Sequence, residues 1–218
     1  MTGCTMILEN ERKKVVEFGK NLSISGLCRG TSGNLSIYDP AAGYIAISPS
    51  GMDYMTLEPE DITVIDLEGN VIEGSRKPSS EWSMHAEFYK NKPGVRSIIH
   101  THSVFCTTFS VLGMPIRAVH FAIGAAGTGE IPCAPYVLFG TRELGEAAVK
   151  ACRNSNAVLL KNHGIVCCGK DIGSAYSLAS NLEYVAELQY RAMSIGTPQY
   201  ISDADLSKVL EKFASYGQ

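Results

Sequence analysis

The sequence predicts an α/β protein in which a largely antiparallel sheet is covered by helices and the chain forms one domain. Three observations predict it. Apolar and polar residues alternate over several short runs separated by tight turns, as in half-buried strands. Longer segments carry apolar residues at helical spacing. The helices interrupt the strands irregularly, which disfavours a strict parallel βαβ alternation. With 218 residues and 45% hydrophobic content the chain can bury one substantial core, and no linker, low-complexity run or repeat divides it.

Residues 9–27 place Val15, Val16, Phe18, Leu22 and Ile24 on a broad apolar side and predict the first helix. Arg29-Gly30-Thr31-Ser32-Gly33 breaks it. Strands are expected over 34–38 and 44–48 around the turn at residues 39–43, then a hairpin over 62–67 and 70–73 around Glu68-Gly69. Residues 81–91 read as a helix, with Ser79 and Ser80 placed to cap it. Residues 95–101 form a β-branched, buried strand. A short helix is expected over 104–112, a strand over 116–121 and a helix over 141–152. Strands over 157–160 and 164–168 flank Asn162-His163, and helices over 172–195 and 203–213 complete the chain.

The formal charge of −3 is near neutral and the 19 basic residues are scattered, which argues against nucleic acid or an anionic membrane as partner. The N-terminus has no apolar core of signal-peptide length, and no run approaches the ~20 apolar residues of a membrane span. A cytoplasmic location is expected. The seven cysteines are odd in number and contain no CxxC pair, so they read as reduced, mostly buried small hydrophobes.

Chemistry concentrates in a few stretches. In Ile98-Ile99-His100-Thr101-His102 the two histidines project from one face of a strand and can reach one ion. Lys161-Asn162-His163-Gly164 supplies a third imidazole in a tight turn, and three protein ligands with an open position suit a catalytic zinc. Satisfied structural histidines are the competing reading. Lys77-Pro78-Ser79-Ser80-Glu81-Trp82 leads into a helix N-terminus, which can hold a phosphate or simply be capped by its serines. Glu81 either complements the helix dipole or moves a proton on a carbon beside a metal-bound carbonyl. His85, one turn later, is a ligand, a ligand's partner or a packed histidine. Gly30-Thr31-Ser32-Gly33-Asn34 and Ser48-Pro49-Ser50-Gly51 are polar turns that could also cradle an anion, and neither matches a nucleotide-binding loop.

In this order, GTSGNLS, SPSGMDY, PSSEW, HTHSVFCT, IPCAPY, FGTREL, KNHG and VLEKFASYG resemble the class II aldolase and adducin-head family over almost the whole chain. The resemblance implies a three-layer sandwich with helices on both sheet faces. It implies one zinc per subunit on His100, His102 and His163, with Glu81 as catalytic acid/base and fourth metal ligand in the absence of substrate. The positions matching a phosphate site are Thr31, Asn34, Ser50, Gly51, Ser79 and Ser80. The implied reaction is reversible cleavage of a ketose 1-phosphate to dihydroxyacetone phosphate and a small aldehyde through a metal-stabilised enediolate. Homotetramers with sites between subunits are implied as well.

One departure stands out. Where one aldolase of the family carries a tyrosine after the histidine of its HY segment, a residue the resemblance implies for proton exchange with the aldehyde half, this chain has His120-Phe121. Phenylalanine cannot transfer a proton. Water, Tyr216 or another tyrosine takes over, or the preferred aldehyde differs; Tyr216 matches a C-terminal tyrosine that the family places over the site. His120 then reads as structural. An aldolase for a 5-deoxy- or 5-methylthio-ribulose 1-phosphate is a close alternative, favoured by the apolar Phe121. A pentulose 5-phosphate 4-epimerase is another, though PSSEW and the tail favour the aldolase. A non-catalytic interaction module should have lost a ligand or the acid/base, and all four residues are present.

Overall fold

The structure, a computed structural model, describes residues 6–214. In chain order its elements are α1 (Glu9–Ile24), β1 (Asn34–Asp39), β2 (Tyr44–Ile47), β3 (Thr63–Asp66), β4 (Val71–Glu73), α2 (Trp82–Asn91), β5 (Ser97–Thr101), α3 (Val104–Leu112), β6 (Ile116–Arg117), β7 (Glu130–Ile131), β8 (Cys133–Ala134), α4 (Arg142–Cys152), β9 (Ala157–Leu160), β10 (Gly164–Gly169), α5 (Ile172–Ile195) and α6 (Asp203–Ala214). Eight strands form one sheet in the order β4-β3-β2-β1-β5-β10-β9-β8. All its pairings are antiparallel except that of β8 with β9, and β6 and β7 form a separate antiparallel pair.

The period-two alternation of the strands sorts side chains into two cores. Leu35, Ile99, Leu159, Ile165 and Cys167 pack with Val15 and Leu22 of α1, Phe109 of α3 and Leu178 and Leu182 of α5. Ile98, Val158, Leu160, Val166 and Cys168 face the other way, onto Met84 and Phe88 of α2 and Leu144 and Ala148 of α4. The helices therefore cover both faces in three layers. Among the described residues no helix is long and apolar enough to cross a membrane.

Some local expectations are corrected. The strand expected over 116–121 stops at Arg117, and residues 121–126 wind as a 3-10 helix. His120 caps that helix by accepting from the Ala122 amide at 3.3 Å. The helix after PSS is capped by Glu81, not by Ser79 or Ser80, and the Glu81 side chain makes no capping hydrogen bond. Its carboxylate turns inward instead. The first helix ends at Ile24, and the short β7 and β8 carried too few residues for a period to show.

One charged side chain ties the first helix to the sheet edge. Arg12, 1% exposed, donates to the carbonyls of Ile7 (2.8 Å) and Ile62 (2.7 Å) and to the Glu73 carboxylate (2.9 Å). Replacing it strands buried acceptors, each worth about 1–3 kcal/mol when left unpaired. Arg12→Met should lower the unfolding free energy by an amount in that range, read as a lower urea midpoint at unchanged slope.

Candidate active site and metal centre

The site stands at one end of the sheet, on the α2 face. His100 lies in β5 between Asn34 of β1 and Val166 of β10, its register partners on either side. His102 follows two residues later. His163 sits in the β9–β10 turn, where Asn162 takes a left-handed φ of 57°, a conformation asparagine tolerates well. The possible ligand atoms of the three imidazoles all lie within 4.8 Å of one another. Nε2 of His100 and of His102 are 3.0 Å apart, and the three ring centroids are separated by 4.9, 4.7 and 4.9 Å.

His100 Nδ1 lies 3.0 Å from the carbonyl of Ile165. A carbonyl only accepts, so Nδ1 carries the proton and Nε2 presents a lone pair to the cluster. Burial, then the neighbouring charges of His163 and His102, hold the His100 pKa well below its ordinary value. Burial likewise lowers His102 and His163. All three rings are thus kept neutral, the form that binds a metal.

Glu81 completes the group. Its Oε2 is 3.3 Å from His100 Nε2, and its Oε1 is 3.4 Å from His163 Nε2. Asn34 Nδ2 donates to Oε2 at 2.8 Å, while the buried Oε1 has no hydrogen-bond partner. Three imidazoles converge beside a buried carboxylate oxygen that has no hydrogen-bond partner, and each ring can turn a nitrogen lone pair to a shared cation. The donor set fits a divalent metal with imidazole and carboxylate ligands.

Gly164 makes this convergence possible. A Cβ there would collide with the Thr101 carbonyl oxygen and would stand 3.0 Å from His102 Cδ2 and 3.3 Å from His100 Cε1. Gly33 serves similarly on the other side: its φ is 77°, and a Cβ would lie 2.6 Å from the His100 carbonyl oxygen.

The polar turns are drawn together by backbone bonds. Ser79 N donates to Ser48 O and Ser50 N to Lys77 O, each at 3.0 Å, and Leu35 N donates to Ser48 Oγ at 3.2 Å. Ser50, Gly51, Ser79 and Ser80 therefore flank Glu81 and the start of β1. Thr31 is exposed in the adjoining loop. Asn34 is buried, with Nδ2 on Glu81 and Oδ1 at 2.5 Å from His85 Nε2. Its side chain therefore faces the carboxylate and not the loops.

His85 lies outside the three-imidazole group, fully buried, with Nδ1 2.7 Å from Ser36 Oγ. Burial pushes its pKa down to about 3. Phe121 is 56% exposed, and its ring lies 4.4 Å from that of His120, centroid to centroid. Tyr216 lies outside the described residues. The six described cysteines are free, and burial lifts the Cys28 thiol to about 12, as inert core thiols require. Sequence reasoning missed Glu183, whose carboxylate accepts from the amides of Phe105 (2.8 Å) and Cys106 (2.9 Å) and so anchors the start of α3 just after His102. Nothing local marks it, since it is one polar position in a long helix.

The profile of the class II aldolase and adducin N-terminal domain family matches residues 13–190. The 5-deoxy-D-ribulose 1-phosphate aldolase of Bacillus thuringiensis serovar kurstaki is 40% identical over 98% of this chain and 100% of its own length. The L-fuculose phosphate aldolase of Escherichia coli O6:H1 is 39% identical over 94% of each chain. A solved L-fuculose 1-phosphate aldolase superposes with a TM-score of 0.93 at 36% identity, covering 96% of this chain and 98% of the other. The chain belongs to the class II aldolase and adducin N-terminal domain family. Its full-length kinship with named aldolases makes it an enzyme of the lyase class.

Two outcomes follow from the geometry. Gly164→Ala should reduce bound metal sharply while the protein still folds, as read by metal analysis beside circular dichroism. Protein stripped with a chelator should lose stability as the pH falls below 6.5, the ordinary histidine value, toward about 3, where folded His85 at last protonates. Over that window the unfolded chain binds a proton that the folded one refuses, so unfolding becomes easier by up to about 1.4 kcal/mol per pH unit for this group. Urea midpoints at neutral pH and at about pH 5 check it.

Proposed function

We propose that this chain is a zinc-dependent aldolase that reversibly cleaves a ketose 1-phosphate to dihydroxyacetone phosphate and a small aldehyde. The observation that carries the reading is the orphaned Glu81 Oε1, buried beside three neutral imidazoles that converge on one point. His100, His102 and His163 would hold the ion, with Glu81 in the fourth position when substrate is absent. A divalent metal bound there supplies a Lewis acid for the carbonyl and hydroxyl oxygens of the substrate.

The chain's own groups do the rest. Glu81 takes a proton at the carbon next to the carbonyl when carbon–carbon bond formation is run from dihydroxyacetone phosphate, and returns it in cleavage. The clustered turns carrying Thr31, Ser50, Gly51, Ser79 and Ser80 offer amides and hydroxyls for the phosphate beside the α2 N-terminus. Phe121, from its exposed position, would give the aldehyde end an apolar surface in place of a proton donor. Tyr216 is a candidate for that proton.

The substrate is proposed as L-fuculose 1-phosphate or a 5-deoxyribulose 1-phosphate, because relatives bearing both names match nearly the whole chain at similar identity. Phe121 favours the second, whose departing aldehyde carries no hydroxyl. In the same reading residues 1–218 act as one catalytic domain in the cytoplasm. Copies would assemble as a homotetramer with sites between subunits, for which exposed Val111, Leu112, Tyr136, Leu138 and Phe139 supply apolar surface.

Purified protein should carry about one zinc per subunit. It should release dihydroxyacetone phosphate from at least one of these ketose phosphates in a coupled assay, and lose that activity with a chelator. Epimerisation of ribulose 5-phosphate with no release from any ketose 1-phosphate would overturn the aldolase. Metal-free protein that stays inert on zinc addition would favour a non-catalytic module. Glu81→Gln should lower kcat by roughly 10²- to 10⁴-fold; turnover near that of the parent would remove Glu81 from the proton transfer.

A further inference from the structure

Behind Glu81 runs a buried row of polar side chains that the metal does not reach. Asn34 Nδ2 is 2.8 Å from Glu81 Oε2, and Asn34 Oδ1 is 2.5 Å from His85 Nε2. His85 Nδ1 is 2.7 Å from Ser36 Oγ, which is 2.6 Å from the Tyr89 hydroxyl. All four side chains beyond Glu81 are buried. Elementary chemistry fixes the direction of each bond. A carboxylate only accepts, so the Asn34 NH2 donates to Glu81 and its oxygen faces His85. That oxygen only accepts, so His85 carries its proton on Nε2. The bare Nδ1 then accepts from the Ser36 hydroxyl, and the Tyr89 hydroxyl donates back to Ser36, whose Oγ at 2.6 Å and carbonyl oxygen at 3.1 Å both lie in reach.

We propose that His85 is a positioning residue for Glu81: this one-way chain from Tyr89 through Ser36, His85 and Asn34 grips the carboxylate by Oε2 and leaves Oε1 as its working oxygen. The proposal rests on the reading of Glu81 as acid/base. Without a donor at His85 Nε2, the Asn34 amide loses the bond that fixes its orientation. Rotated by a half-turn, it would set its oxygen against the Glu81 carboxylate, two acceptors face to face. Glu81 would then swing within the site, and a misplacement of about 1 Å is enough to cost on the order of 10²-fold in rate. The turns proposed to take the phosphate are not part of the chain, so substrate affinity should hardly move.

The test uses full-length, metal-loaded protein and the ketose 1-phosphate that the parent cleaves best. His85→Leu removes the donor at similar volume. His85→Gln restores an N–H donor toward Asn34, whereas His85→Asn places its amide nearer Ser36. The expectation is a kcat lowered roughly 10- to 100-fold in His85→Leu and His85→Asn, with KM changed less than about threefold, and recovery in His85→Gln. Bound zinc should stay near the parent's level in all three. A mere packing role would spare the similarly sized His85→Leu, so a loss there together with recovery in His85→Gln separates the two.

Unchanged kcat in His85→Leu, or equal losses in Gln and Asn, overturns the proposal. If His85→Leu fails to fold, Ser36→Ala weakens the same chain at the link behind His85 by freeing the tautomer, and it should lower kcat in the same way. NMR of the imidazole nitrogens in metal-free parent protein gives a readout independent of turnover. A protonated Nε2 on His85 is expected, and a protonated Nδ1 overturns the chain. Parent protein with no lyase activity but an Nε2-protonated His85 would instead mark failure of the acid/base reading.

Discussion

The antiparallel pairing of β5 with β10 is the constraint on which the site depends. It places the Ile165 carbonyl under His100 Nδ1 and so settles which nitrogen of that ring looks into the cluster. It also brings the β9–β10 turn, with His163, over the end of β5. Because the strands alternate faces, the same register that packs Ile98 against α2 and α4 carries His100 to the α2 face. A shift of one residue would send the imidazole into the other core.

The energetic character of the centre follows from burial. Removing the His100 imidazole and the Glu81 carboxylate from water, with His102 and His163 partly covered, is costly unless their polar atoms are used. Asn34 uses one oxygen of Glu81, Ile165 takes the proton of His100, and the possible ligand atoms of the three rings converge. That arrangement favours a cation over protons, since burial depresses all three histidine pKa values. The surrounding fold enforces it: Gly33 and Gly164 permit backbone approaches that any side chain would block, and Glu183 fixes the helix that follows the HxH strand.

Kinship and geometry support one another without saying the same thing. The family match covers the helices and strands that build the scaffold, and relatives with different ketose phosphates in their names share it at nearly equal identity. Kinship therefore accounts for the scaffold and the lyase class, and the proposed substrate rests on the site itself.

What the sequence by itself determined was periodic or motif-borne. The elements expected over 9–27, 34–38 and 172–195 were legible from periodicity and the strand expected over 95–101 from its β-branched run, and the structure places them at 9–24, 34–39, 172–195 and 97–101. The HxH pair was legible as two side chains on one face of a strand. Tertiary structure alone decided what lay between elements distant in sequence. It shortened the 116–121 strand, since its pairing partner is a two-residue strand. It made Glu81 the helix cap and turned its carboxylate away from the helix amides. It also occupied Asn34 with Glu81 and His85, partners 47 and 51 residues away. Periodicity reports which face of an element is buried; it carries no information about which buried polar group will meet which, because that depends on how separate elements cross.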